Sequence, residues 1–502
     1  MATYPFPQVK RLASIQKATP LEKFEIKIGL EIHIQLTALN TKLFCGCSAD
    51  YRGKAPNTFV CPVCLGLPGS LPVLNKRAVD LAIMVALALN SQISSRTVFY
   101  RKNYFYVDMP KNFQISQYDK AGGVPLSIGG WVDFEVNGTV KRVRIRRLQL
   151  EEDPARLHYP GTIDSSPYTL VDYNRAGIAL LEIVTEPDIT SADEARLFLQ
   201  KLRSIVEHLG VSNGDLQGSM RCDANISLQG GKRVEIKNIS SFREVKRALQ
   251  YEIIRQKQLL RRGSVVKQET RHWDDNRRIT ISLRTKETES DYRYFPEPDL
   301  VPVEISEDWI KELQSKMPEL PDARKTRLVK EYGIPEYDAG VLTGSKALAD
   351  FFEECCQLYS DAKKISNWIM TDLTRYLKEL GIEISEAKIR PKHLTDMLKL
   401  IDKGEISGKI AKTVLSKMVR SGESPKRIIQ KEKLIKISSK EQIQTVVDKV
   451  FEEFPKAVQD AKTDQNAINY LVGQVMHKTR GRADPEITNK LIREKLAKYS
   501  TR

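Results

Sequence analysis

One stretch near the N-terminus fixes the kind of architecture this chain can adopt. Residues 24–36, FEIKIGLEIHIQL, alternate apolar and polar side chains along their length. A period of two is satisfied by a strand with one dry face. Phe24, Ile26, Ile28, Leu30, Ile32, Ile34 and Leu36 fall on one side, and Glu25, Lys27, Glu31, His33 and Gln35 on the other. The chain must therefore build a sheet that buries one face and presents a polar one. Glu31 and His33 project from that polar face together.

Further segments extend the same texture. Residues 131–153 give two strands around Asn137-Gly138, a dipeptide that favours the tight turn of a hairpin. Helices are expected at about 75–90, at 191–209 behind Ser191, and at 241–262. After the turn-rich FPEPDLVPV the strand signals stop. Residues 306–420 then read as successive helices punctuated by Pro318, Pro321, Pro335 and Gly381, and 421–502 as a last helical block. The expected class is α+β: a β-rich domain, then an all-helical domain, then a helical tail.

Cysteine placement adds a second constraint. Cys45, Cys47, Cys61 and Cys64 form FCGC and CPVC. In a reducing compartment such paired spacings suit a closed tetrathiolate zinc site of structural role better than disulfides. Gly46, Pro62 and Gly66 suit the tight turns of such a knuckle. The alternative is four free thiols in a loop.

Chemistry-bearing residues gather in the first 300 positions. A carboxylate and an imidazole on one strand face, Glu31 and His33, can hold a divalent cation, and oxygen-rich ligand sets favour magnesium. Glu151, Glu152 and Asp153 sit at a strand end, and Asp223 and Glu235 lie in strand-like MRCDANISL and VEIKN. Such a set fits phosphoryl chemistry, although any single carboxylate can equally be a solvated strand-face residue. Basic and aromatic residues interleave in RKNYFYVDMPKNFQISQYD, DYNRAGIALLEIV and SDYRYFPEPD, a texture suited to planar, phosphate-bearing ligands. There is no P-loop, no glycine-rich dinucleotide fingerprint and no GxSxG elbow.

The formal charge of +16 points to a polyanionic partner, nucleic acid first. It is unevenly spread: net +10 over residues 1–300, −3 over 301–400 and +9 over 401–502. No apolar run is long enough to span a membrane, and MATYPFPQVKRLASIQKATP lacks the apolar core of a secretory signal. A cytoplasmic location is expected.

The blocks IGLEIHIQL, VCLGLPGSLPVLNKRAVDLAI, RKNYFYVDMPKNFQISQYD, LEEDPARLHY, VDYNRAGIALLEIVTEPDI, GSMRCDANISL, VEIKNISSF, QETRHWDD and DYRYFPEPDL occur in this order. Together they resemble the B subunit of the tRNA-dependent amidotransferases, the GatB family. The ending GQVMHKTRGRADPEITNKLIREKL is similar to the tail that this family shares with YqeY-like proteins. The likeness runs from about Glu25 to Lys498.

This resemblance implies an antiparallel cradle domain over 25–300 carrying the zinc knuckle 45–64, a helical domain over 301–420 and a YqeY-like tRNA-binding tail over 421–502. Residues 1–24 form an N-terminal extension. It implies a heterotrimer, GatB joined by an amidase (the A subunit) with a small third protein (the C subunit). That enzyme phosphorylates the side-chain carboxylate of Glu-tRNA(Gln) or Asp-tRNA(Asn) with ATP, then amidates it with ammonia from glutamine. The family's magnesium and catalytic residues fall on Glu31, His33 and Glu152, with Glu151, Asp223 and Glu235 as weaker candidates. Arg175, Lys237 and Arg293 are expected at ATP. Zinc-bearing members supply the reading for Cys45, Cys47, Cys61 and Cys64; other members lack these cysteines, so zinc is not required for the reaction itself. Lys426, Arg427, Lys431, Lys433, Lys478, Arg480 and Arg482 are expected tRNA-phosphate contacts.

Two rivals fit less well. The E subunit of the archaeal glutamyl-tRNA enzyme shares the cradle but carries an inserted domain, for which residues 270–300 leave no room. A non-catalytic zinc-knuckle tRNA binder has no use for the acidic EIH and EED segments beside an RNA backbone.

Overall fold

The computed structural model describes residues 24–120, 122–161, 166–284, 292–432, 434, 439–461, 464–479 and 481–500, with side chains to Ala497. The chain divides into two compact units, one of residues 1–199 with 218–311 and the other of 200–217 with 312–502. Among the described residues no helix is long and apolar enough to cross a membrane.

The first unit is built on a ten-stranded sheet. Its main strands are β1 (Ile26–Gln35), β2 (Thr139–Glu152), β3 (Ala179–Thr185), β4 (Met220–Leu228), β5 (Val234–Lys237), β6 (Glu269–Asp274) and β7 (Ile279–Arg284). Across the sheet they run β7-β6-β5-β4-β1-β3-β2, so the first strand lies in the middle. The alternation seen in the sequence is why. Ile28, Leu30, Ile32 and Ile34 are all buried on one face, and a central strand is where an unbroken apolar face excludes most water.

Pairing is antiparallel throughout this path except between β5 and β6, which run parallel. The helix between them, Phe242–Arg261, is the crossover that parallel strands require. It is capped by Ser241 accepting from Glu244 N–H and packs against β4. The 131–153 segment forms the expected hairpin, Trp131–Val136 pairing with β2. Asn137 and Gly138 both take positive φ, 50° and 79°, as the turn joining two right-twisted strands requires. A smaller sheet joins Phe99–Asn103 to Phe113–Gln117 and Phe295–Pro296. It brings the aromatic-basic segments at 101–119 and 292–299 together.

The second unit is helical and contains two separate apolar cores. One runs from Leu328 to Ile429 and the other from Ile443 to Leu496. A buried Arg324 joins Asp350 and Glu353 beside the first.

Candidate active site and cysteine centre

Residues facing each other across antiparallel strands share a face of the sheet, so the register places the site. His33 lies opposite Glu182 of β3 and Arg221 of β4; Glu31 lies opposite Asp223. Glu151 of β2 pairs with Leu180, one diagonal step from Glu182, which stands between it and His33. The result is an imidazole ringed by three carboxylates. His33 Nε2 is 3.8 Å from Glu31 Oε1, 3.7 Å from Glu151 Oε1 and 3.6 Å from Glu182 Oε2. Glu31, His33 and Glu182 offer ligand atoms close enough together to hold one cation.

Burial makes this cluster electrostatically loaded. It raises Glu31 and Glu151 above the usual carboxylate range, with Glu182 as the largest charge contribution in each case. Burial opposes ionisation of His33 and Glu182 as well, but their partners prevail. The carboxylates of Glu182, Glu151 and Glu31 lift the imidazole to about 9, while His33 and Arg147 hold Glu182 at about 2. Arg147 donates to Glu182 at 2.8 Å and to Asp119 at 3.1 Å. Ser116 donates to Glu151 at 2.8 Å.

The cluster continues along the sheet. Lys237 reaches Asp223 at 3.3 Å and Glu235 at 3.7 Å. Burial opposes its charge, but Asp223, Glu235 and Glu31 raise it above the ordinary lysine range. From the smaller sheet, Lys102 sits between the Tyr292 and Tyr104 rings, 5.2 and 5.9 Å from their centroids. Despite its burial, Tyr294, Glu151, Tyr104 and Glu182 hold this ammonium well above the usual range. Tyr118 and Tyr294 stack beside it, centroids 4.3 Å apart. The site is a carboxylate–imidazole cluster edged by cationic and aromatic groups.

Glu152 is placed elsewhere. By strand alternation it faces away from Glu151, and its carboxylate is held by Lys111 Nζ at 2.5 Å and by Ile115 N–H at 2.9 Å. Arg175 donates to the Pro154 and Ala155 carbonyls at 2.8 and 2.7 Å, bracing the end of β2. Asp153 beside it is bonded by Gln35 and Arg221 at 2.6 and 2.7 Å. Arg293 is exposed, its guanidinium 5.9 Å from the Phe105 ring centroid.

Sequence reasoning misses Glu182, Lys102 and Arg147. Glu182 leaves one signal, a lone charge inside the apolar run ALLEIV, since a carboxylate buried in a central strand must have partners.

The two cysteine pairs converge. The Sγ atoms of Cys45, Cys47, Cys61 and Cys64 lie within 4.8 Å of one another. The first turn is closed by Lys42 N–H to the Cys47 carbonyl, 2.9 Å, and the second by Leu65 N–H to Cys61, 3.0 Å. Bonds from Cys45, the Cys61 N–H and the charge of Lys42 lower the Cys64 thiol to about 4 despite burial. Burial pushes Cys47 up to about 11. Four convergent sulfurs, one already a thiolate at neutral pH, fit a tetrahedral soft-metal centre.

In the tail, Lys426, Arg427, Lys431 and Lys478 are exposed and Arg482 is half-buried. Arg427 and Lys431 face Glu423 at 3.6 and 3.8 Å, and Lys478 pairs with Glu453 at 2.7 Å. Lys433 and Arg480 lie outside the described residues, as do residues 1–23 of the N-terminal extension.

An antiparallel-rich sheet domain with a carboxylate–imidazole cluster on its central strands, continued by helices, defines the class: an α+β protein whose sheet domain carries a group able to hold a cation. The GatB/GatE catalytic domain family matches residues 26–311, and the GatB domain family matches residues 350–496. The chain belongs to the GatB family. It is 54% identical to the B subunit of the aspartyl/glutamyl-tRNA(Asn/Gln) amidotransferase of Sulfurisphaera tokodaii, over 93% of this chain and 99% of that protein. Proteins of the same name are 50% identical in Carboxydothermus hydrogenoformans, over 95% and 100%, and 49% identical in Thermotoga maritima, over 93% and 98%.

Proposed function

We propose that this chain is the B subunit of a glutamine-hydrolysing aminoacyl-tRNA amidotransferase, a carbon–nitrogen ligase serving translation. It uses ATP to phosphorylate the side-chain carboxylate of Glu-tRNA(Gln), Asp-tRNA(Asn) or both, and ammonia then displaces the phosphate. A carboxylate is a poor acyl donor until one oxygen becomes part of a phosphate leaving group. The amidase, or A subunit, supplies the ammonia by hydrolysing glutamine, and the small C subunit completes the heterotrimer in the cytoplasm.

The observation that carries this reading is His33 ringed by Glu31, Glu151 and Glu182 at 3.6–3.8 Å. Those four side chains would hold magnesium, which neutralises phosphate charge when bound. Asp223 and Glu235 extend the acidic edge, and Lys237 and Lys102 offer charge to phosphate oxygens. Glu152, paired with Lys111, lines the strand end next to this cluster. Arg175 and Arg293 remain candidates for nucleotide contact. The cysteine centre would hold a structural zinc ion. Lys426, Arg427, Lys431, Lys433, Lys478, Arg480 and Arg482 would contact tRNA phosphates, with divisions near residues 300 and 420 separating cradle, helical domain and tail. The relatives that carry the B-subunit name are covered over 98–100% of their length, which favours this reading over the E-type protein.

The deciding assay reconstitutes the heterotrimer and supplies it with mischarged tRNA(Gln) and tRNA(Asn). Formation of Gln-tRNA(Gln) or Asn-tRNA(Asn), dependent on ATP and glutamine, is expected. Absence of both products would reject the assignment.

A further inference from the structure

Lys42 is wholly buried. Its ammonium has three N–H donors and three acceptors around it: the Phe59 carbonyl at 2.9 Å, Cys64 Sγ at 3.5 Å and the Tyr173 carbonyl at 3.5 Å. No carboxylate among the described residues lies within ion-pair distance of it. A buried cation that touches no carboxylate is costly, and of its three partners only Cys64 Sγ can carry a charge. The converse also holds. A divalent ion held by four thiolates carries a formal net charge of −2, which is equally costly out of water unless a cation stands beside it.

The three partners belong to three different pieces of chain. Phe59 precedes the second cysteine pair, Cys64 closes it, and Tyr173 opens the turn that leads into β3. That turn is tied to the end of β2, with Gly177 N–H donating to the Asp153 carbonyl at 2.9 Å and Asp153 N–H to the Ile178 carbonyl at 2.8 Å. Gly177 has a left-handed φ of 84°, and a side chain there would meet Cys64 Cβ at 3.4 Å and Lys42 Cδ at 3.5 Å. The turn therefore lies directly against the cysteine centre, and the strand end bearing Glu151 and Glu152 hangs on the turn.

We propose that Lys42 is the counter-ion of the cysteine-bound metal and the positioning residue that couples the metal to the Tyr173–Ile178 turn and the acidic end of β2. The inference rests on the metal reading of the four cysteines. With metal bound, the thiolates hold the ammonium and the ammonium holds the turn. With metal removed, the two cysteine pairs are no longer tied to one centre, the Phe59, Cys64 and Tyr173 acceptors around the ammonium are free to separate, and the turn loosens.

The test uses the full-length chain, with zinc content and its loss to a chelator as the first readout. The wild type is expected to carry about one zinc per chain. Lys42→Met, which keeps an unbranched apolar stem and removes the charge, is expected to release zinc at least tenfold faster while retaining its circular dichroism spectrum. A second readout needs no variant. Hydrogen exchange of wild-type peptides covering residues 153–155 and 173–178 should accelerate at least tenfold on zinc removal, while peptides from 440–497 stay unchanged. Equal zinc release by Lys42→Met, or exchange at the turn indifferent to zinc, would overturn the proposal. A wild-type chain that holds no zinc would instead remove the metal reading, and this inference with it.

Discussion

His33 and Glu182 face each other across β1 and β3, Nε2 to Oε2 3.6 Å, in the middle of the sheet. Neither could be buried there without counter-charge: each supplies it to the other, with Arg147 beside Glu182 and with Glu31 and Glu151 beside His33. Glu182→Gln keeps the shape and removes the charge. It is expected to lower ATP-dependent phosphorylation of the charged tRNA by about a hundredfold, equivalent to ~2.7 kcal/mol, and Glu31→Ala by at least as much. Glutaminase activity of the amidase partner should persist. Phosphorylation at the wild-type rate in both variants would remove this cluster from the reaction.

Glu152 separates from Glu182 in the same experiment. Its carboxylate is bound by Lys111 and the Ile115 N–H rather than directed at His33. Titration with manganese, followed by electron paramagnetic resonance, should show weakened binding in Glu182→Gln and unchanged binding in Glu152→Gln. Lys111→Met should behave differently again. Stripping the ammonium from a buried carboxylate costs about 3 kcal/mol, read as a lowered midpoint in urea unfolding of the first unit.

The sheet was legible in the sequence where one face is wet, and illegible where both faces are dry. β1 shows its period because Glu25, Lys27, Glu31 and His33 interrupt the apolar residues; the hairpin shows because Asn137-Gly138 has few other uses. β3 is buried on both faces, so ALLEIV carries no period and conceals Glu182. Glu151 and Glu152 were visible as a pair, but consecutive residues of a strand point to opposite faces. Which of them joins His33 depends on the register between β2 and β3, a long-range fact that spacing does not encode. The parallel β5–β6 pair is hidden for the same reason. The cysteine centre was legible because its metal-ligand spacing is local. Of its two glycines, only Gly66 needs to be one: its φ is +66° and a side chain would strike Lys111 Cγ at 2.4 Å, whereas Gly46 has open space.

A pH prediction follows from the helical unit. Arg324 donates to Asp350 at 2.7 Å and to Glu353 at 2.8 Å. Burial opposes ionisation of both carboxylates, but Lys346 and Arg324 for Asp350, and Arg327 and Arg324 for Glu353, leave both below the usual range. Groups depressed in the folded state stabilise it above their unfolded values, near pH 4, and lose that contribution as pH falls through the folded values. Stability of this unit should therefore hold from pH 7 to about 5 and decline below about 4. Both carboxylates are partly exposed, so their share is small, about 1 kcal/mol. Arg324→Met should flatten this acid limb, measured by urea midpoints between pH 3 and 7; an unchanged limb would exclude these pairs as its source.

The tail offers a cleaner deletion than its sequence boundary suggests. Ile428 and Ile429 are buried in the core that begins at Leu328, whereas residues 443–496 close a core of their own. Cutting at 421 would strip two buried isoleucines from the remaining helices, at roughly 2–5 kcal/mol each, and confuse a binding defect with unfolding. Cutting after Ser439 leaves that core intact and removes Lys478, Arg480 and Arg482 together. Each lost phosphate contact should reduce the slope of log affinity against log salt by about 0.9 on duplex nucleic acid. The truncated chain should thus bind tRNA more weakly at low salt, with a slope shallower by up to about 3, and with its remaining unit unfolding at the same urea midpoint. An unchanged slope would place the tRNA contacts outside the tail, and a lowered midpoint would show that the cut had damaged the first helical core.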